Sequence, residues 1–214
     1  MMGALAGSVF VGVMVLALLL AERRQSRLLR WVTKPLASAG FLVAAVGAGA
    51  LDGRYGMTVL VALALCWLGD LLLIPESMVT FQLGLASFLA GHVCFAVAFV
   101  REGVDWRWAA GAAVVVCALA IVVGRWLLPH VERKMRPPVL AYIVVISCMV
   151  ALAVGTVVAH GRPLILIAAI TFFCSDLAVA RDTFVKKEFV NRLWGLPVYY
   201  GACLLFAWSI HYPG

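Results

Sequence analysis

Eight apolar stretches of membrane-spanning length follow one another with only short polar breaks, near residues 3–21, 35–51, 57–74, 81–100, 106–123, 138–159, 162–180 and 195–211. A helix needs about 20 apolar residues to cross the hydrocarbon core of a bilayer. Inside that core every backbone amide must be satisfied by the protein itself, so only helices and closed barrels span it. A barrel demands alternation with period two, whereas Val11–Leu20 is continuously apolar. The chain is 65% hydrophobic and 13% charged, against about 25% charged in an ordinary soluble domain. The expected fold is therefore all-α: one domain over 1–214, a polytopic bundle of eight transmembrane helices. The first stretch has no basic residue before it and a basic run after it, the reverse of a secretory signal, so it reads as part of the structure.

Basic residues in short loops stay in the cytoplasm, and here they fall on alternate loops. Arg23, Arg24, Arg27, Arg30 and Lys34 follow the first stretch, Arg125, Arg133, Lys134 and Arg136 the fifth, and Arg181, Lys186, Lys187 and Arg192 the seventh. The other side holds only Arg54, Arg101, Arg107 and Arg162. This asymmetry places both termini on the non-cytoplasmic side and requires an even number of spans. The formal charge of +7 is thus mostly topology. Nucleic acid is excluded as a partner, because no contiguous basic groove with aromatic platforms exists; anionic lipid headgroups remain partners for the basic loops.

The motifs of soluble enzymes are missing: no glycine-rich phosphate loop, HExxH or GxSxG occurs. Cys66, Cys94, Cys117, Cys148, Cys174 and Cys203 all lie in apolar stretches without metal-ligand spacing, and read as small core residues. No metal and no cofactor are expected.

Two carboxylates remain. Asp70, in Cys66-Trp67-Leu68-Gly69-Asp70, and Asp176, in Phe173-Cys174-Ser175-Asp176, lie inside the third and seventh stretches. Such groups must face a protein interior or a wet cavity. Both stretches run from outside to inside, which puts the two at similar depth in the cytoplasmic half, where they either share one cavity or are satisfied separately. Lys34 at the start of the second stretch, Tyr142 one turn into the sixth, and Tyr199 and Tyr200 one turn into the eighth reach the same layer, as site groups or as interfacial anchors. His92, in Gly91-His92, lies about two turns deeper, as a site residue or a core histidine. Glu76 and Arg192 read as solvated loop residues at the mouth.

These signatures together resemble the YhhN-like family, whose members include lysoplasmalogenases. They are Thr33-Lys34-Pro35, Leu68-Gly69-Asp70, Gly91-His92, Tyr142, Phe172-Phe173-Cys174-Ser175-Asp176 and Tyr199-Tyr200, and the similarity covers nearly the whole chain. One departure is Gly201-Ala202-Cys203, where the family often carries a glutamine after the tyrosines. The resemblance implies a bacterial inner-membrane enzyme that hydrolyses the sn-1 alkenyl ether of a lysoplasmalogen, releasing a fatty aldehyde and glycerophosphoethanolamine or glycerophosphocholine. Asp70 and Asp176 are then the catalytic pair, with Lys34, His92, Tyr142, Tyr199 and Tyr200 as substrate-binding residues. A vinyl ether is cleaved by protonating its outer alkene carbon and adding water to the resulting cation, work for one acidic carboxyl and one charge-stabilising or basic partner. Two carboxyls in one cavity favour such a split state, although the sequence does not assign the roles. The competing class is a proton-coupled lipid or small-molecule carrier, since intramembrane carboxylates also serve relays. Internal repeats with paired broken helices, the usual mark of carriers, are not evident.

Overall fold

The computed structural model describes residues 2–75 and 77–211, and Glu76 lies outside them. Eight long helices fill the described chain: α1 (Met2–Arg23), α2 (Arg27–Gly47), α3 (Arg54–Leu72), α4 (Met78–Glu102), α5 (Trp106–Leu127), α6 (Arg136–His160), α7 (Pro163–Ala180) and α8 (Phe189–Ser209). Six of them, all but α2 and α8, are long and apolar enough to cross a membrane. The other two match them in length but carry the polar residues Lys34 and Ser38, and Asn191 and Arg192. The protein is an all-α polytopic membrane protein.

Local signals end these helices where expected. Ser77 and Thr80 form a reciprocal capping box at the start of α4, and Asp105 accepts the Arg107 and Trp108 amides to open α5. Gly161, with φ +66°, closes α6 in the left-handed conformation that glycine adopts without strain. The sequence misplaces two starts. The expected starts of α2 and α8, at residues 35 and 195, follow the points where the chain turns apolar after the polar breaks. The chain instead runs through both prolines: α2 begins at Arg27, behind a Ser26 side chain that accepts the Leu29 amide, and α8 begins at Phe189. Lys34 consequently lies two turns into α2, Tyr142 nearly two turns into α6, and Tyr199 and Tyr200 nearly three turns into α8.

Neighbouring helices pair as α1 with α2, α3 with α4, α5 with α6 and α7 with α8. Seven of the eight close a ring, α1–α2–α3–α4–α6–α7–α8 and back to α1, while α5 stands outside it on α6. The polar faces of α2 and α8 meet each other inside the ring. At the α1–α2 seam the backbones nearly touch: a Cβ added to Gly47 would lie 2.6 Å from the Ala4 nitrogen, and one on Gly7 2.8 Å from the Ala44 nitrogen. Small residues allow this close approach in a solvent that gives helices no hydrophobic drive to associate.

Both ends of the described chain lie at one end of the bundle, where the Trp208 indole donates to Ser8 Oγ at 3.0 Å. That end is tied by Arg162, which pairs with Glu102 and stands over the Tyr55 ring at 5.2 Å, and by Tyr55 bonded to Ser209 at 2.8 Å. The three basic loops share the opposite end. The cysteines divide: Cys66 and Cys203 are buried and Cys94 is half-buried, but Cys117, Cys148 and Cys174 are exposed on outer helix faces. Spans that are apolar all round do not distinguish a lipid face from a core face, so the expectation of six core cysteines fails for those three.

Candidate active site

Asp70, on α3, is almost sealed, with 3% of its side chain exposed. Ser38 Oγ donates to its Oδ2 at 2.6 Å and the Tyr199 hydroxyl to the same atom at 2.7 Å, while Lys34 Nζ stands 3.3 Å from Oδ1. Ser38 has one proton and spends it on Asp70, so the Tyr200 hydroxyl, 3.1 Å away, is the donor in their contact. All three partners of Asp70, and Tyr200 behind Ser38, come from α2 and α8. Four residues separate Lys34 from Ser38, which sets both on one face of α2. Asp70 thus meets one cation and two hydroxyl donors, the partners that a buried carboxyl needs.

Asp176, on α7, is more open, at 19% side-chain exposure. Tyr142 of α6 donates to its Oδ2 at 2.9 Å, and His92 Nε2 of α4 lies 3.5 Å from the same oxygen. His92 Nδ1 is 2.7 Å from the Phe88 carbonyl. A carbonyl only accepts, so Nδ1 carries a hydrogen and Nε2 is the atom that gains or loses a proton. His92 Nε2 therefore faces Asp176 Oδ2 at 3.5 Å without a hydrogen bond between them. The sequence places His92 two turns from the aspartates, and the structure corrects this to direct approach. Side chains lean toward the N-terminus of their own helix. Since α4 and α7 run in opposite directions, the two lean toward each other and close the depth gap.

Both aspartates line one cavity of about 620 Å³. Lys34, Tyr142 and Tyr199 also line it, whereas His92, Tyr200 and Ser38 stand behind its wall. No hydrogen bond joins the two aspartates among the described residues, and each has its own partners. The cavity is amphipathic. Its wall toward α4, α5 and α6 is apolar, with Phe81, Leu85, Val123, Leu127, Val139 and Ile143, and its mouth holds Arg30, Lys186, Lys187 and Arg192 with Glu22 and Asp182. Arg192 is not the solvated loop residue that the sequence suggests: it pairs with Glu22 and, at 3.2 Å, with Asp182, joining α1, α8 and the π-helical turn Arg181–Val185 that follows α7. Buried Asn191 fastens that turn, its amide donating to Asp182 at 3.1 Å and to the Lys186 carbonyl at 2.7 Å.

Below the polar layer the rings are packed edge to face and stacked. Phe172 lies 4.6 Å from His92 and 5.4 Å from Tyr199, and Phe95 stacks on Phe206 at 4.0 Å. These contacts hold the His92 and Tyr199 rings in place from the apolar side. Sequence reasoning gives no role to Ser38, Phe172 or Asn191, although Ser38 stands one turn after Lys34 and Phe172 opens the signature that ends at Asp176.

A model of the YhhN family matches residues 29–210, a range that contains every candidate residue above. Similar curated proteins are the lysoplasmalogenases of Mycobacterium bovis and Mycobacterium tuberculosis, each 30% identical over 171 residues, covering 77% of this chain and 63% of the relative. This chain thus spans under two thirds of the length of those relatives. No solved structure matches it.

Proposed function

This chain belongs to the YhhN family, and on that footing we propose that it is a lysoplasmalogenase-like hydrolase of the bacterial inner membrane. Its substrate is a lysophospholipid with an sn-1 alkenyl ether, taken from the cytoplasmic leaflet. The observation that carries the reading is one amphipathic cavity lined by two aspartates with different partners. A lysolipid fits that division, with its phosphate at the basic mouth and its chain along the apolar wall. The curated names of the mycobacterial relatives support the reaction class.

The surroundings divide the roles. Asp176 is the acid, because it is the more open of the pair, with a tyrosine and a histidine against it where Asp70 has a lysine. Asp70 is the fixed negative charge, held by Lys34, Ser38 and Tyr199. Asp176 delivers a proton to the outer alkene carbon, and the ether oxygen stabilises the cation that forms on the inner carbon. The Asp70 carboxylate stabilises that cation through space. Water attacks the inner carbon and passes a proton to the Tyr199 oxygen as the Tyr199 proton moves to Asp70, leaving a hemiacetal. Collapse breaks the bond to glycerol: Asp70 returns its proton through Tyr199 to the leaving oxygen, and the hemiacetal hydroxyl proton goes to Asp176. The products are the aldehyde and the glycerophospho-alcohol, with both aspartates restored.

Purified full-length protein given a lysoplasmalogen should release aldehyde. Asp176→Asn and Asp70→Asn should each lower turnover by about 100-fold or more, the scale of a lost proton-transfer group. Folded variants with undiminished turnover would sink the mechanism. Lipid uptake into proteoliposomes driven by a pH gradient, with no chemical change, would favour a carrier instead.

A further inference from the structure

A second cavity, of about 370 Å³, lies between α5, α6 and α7, and its lining is wholly apolar. Val116 and Leu119 of α5, Val150 and Val154 of α6, and Ile170 and Phe173 of α7 are among its walls. Phe173 also lines the cavity that holds the aspartates, so a single half-buried ring divides the two spaces. Their order along the bundle follows from chain direction. Asp176 lies one turn after Phe173 on α7, toward the basic end, whereas Ile170 lies one turn before it, toward the other end. The apolar cavity therefore continues the polar one deeper into the bilayer.

The gap exists because α5 and α7 both pack on α6 without packing closely on one another. The α5 residues that line this groove are small or branched; Val116 is buried, whereas Val115 and Leu119 are exposed, so the groove also opens toward the lipid face.

We propose that the α5–α6–α7 groove holds the distal part of the substrate's hydrocarbon chain, with Phe173 as the partition it passes, so that the groove sets chain-length preference. The assignment rests on the lysolipid reading above. With the phosphate at the basic mouth and the ether at the aspartate layer, a long chain has to run on toward the bilayer centre. The groove lies in that direction, is continuous with the site through one side chain, and offers the chain no polar group. The chain leaves bilayer lipid, so the groove selects length by the packing contacts that its walls give each further methylene.

The test uses the full-length protein in nanodiscs and a non-cleavable alkyl-ether lysophosphatidylethanolamine carrying a photoactivatable diazirine at the chain end. Its crosslinks should map to residues 112–119 of α5 and 150–154 of α6. A long-chain lysolipid without the diazirine should compete them away. Crosslinks confined to the cytoplasmic half, or not reduced by the competitor, overturn the proposal. In parallel, Ala112→Phe and Ile170→Phe, which fill the groove, should lower the ratio of kcat/KM for an octadecenyl over a dodecenyl lysoplasmalogen by about tenfold or more, since several methylenes lose their packing contacts. Equal losses on both lipids also overturn it. The two readings fail separately: aldehyde release without groove crosslinks removes the groove and keeps the enzyme, whereas competed groove crosslinks without aldehyde release keep the lysolipid-chain site and remove the reaction.

Discussion

At the scale of single residues, the two aspartates differ in kind because their partners do. Asp70 is a buried ion-pair member, and its pairing with Lys34 is costly to break from one side only. Lys34→Met should destabilise the fold by about 3 kcal/mol, the usual penalty for an orphaned buried charge. Asp70→Asn in the same chain should restore most of that stability, read by unfolding in mixed detergent, while turnover stays lost. If the double variant is no more stable than Lys34→Met, the pair is not the source of the effect. His92 acts through Asp176 and does not reach the cavity. His92→Phe keeps the ring contacts to Phe172 and Tyr142 but removes the exchangeable proton. It should slow turnover by about tenfold or more and flatten the pH profile of kcat with little change in KM. An unchanged profile would leave His92 a packing residue.

Among the helices, the α1–α2 seam sets the position of Lys34 and Ser38, because both sit on the helix that α1 clamps. A side chain at Gly47 would meet the Ala4 backbone itself, which cannot yield as a flexible side chain does. Gly47→Val should cost about 1–3 kcal/mol, the range for overpacking a close contact, measured as a lower unfolding midpoint in detergent. The loop after α7 is governed by charge. Lys186 Nζ lies 2.6 Å from Glu188 Oε1, and that bond, helped by Arg181, holds the exposed Glu188 carboxyl below its usual range. A depressed carboxyl contributes order above its ordinary titration range and loses it as the pH falls through the lowered value. Protection against hydrogen exchange across 181–188, taken relative to the intrinsic rate at each pH, should therefore fall only below the ordinary glutamate range. Lys186→Met should move that onset upward.

For the whole molecule, the even number of helices among the described residues gathers the three basic loops at one end, and retention of basic loops predicts that this end is cytoplasmic. Lys134→Cys and Arg107→Cys sit at opposite ends and are both exposed. A membrane-impermeant maleimide should label position 107 from outside intact cells and position 134 only after the membrane is opened. The native Cys117, Cys148 and Cys174 face outward from spanning helices, where such a reagent does not reach. The reverse labelling pattern would invert the orientation and with it the leaflet the cavity serves.

Length and hydropathy alone determined that this chain is a bundle of eight helices, because a bilayer leaves a backbone no other open choice. They also determined that Asp70 and Asp176 face the interior, since neither belongs in lipid. Charge asymmetry grouped the three basic loops on one side, and the structure gathers them at one end of the bundle. The helix starts at Arg27 and Phe189 were not legible, because hydropathy marks where a stretch turns apolar, and both helices begin earlier, among polar residues, and run through Pro35 and Pro197. Nor was the division between core and lipid faces, which left Cys117, Cys148 and Cys174 indistinguishable from Cys66. Tertiary structure alone decided that Lys34, Ser38 and Tyr199 gather on one aspartate while His92 and Tyr142 gather on the other. That partition depends on which way each helix runs and leans against its neighbour, and no stretch of sequence taken singly contains it.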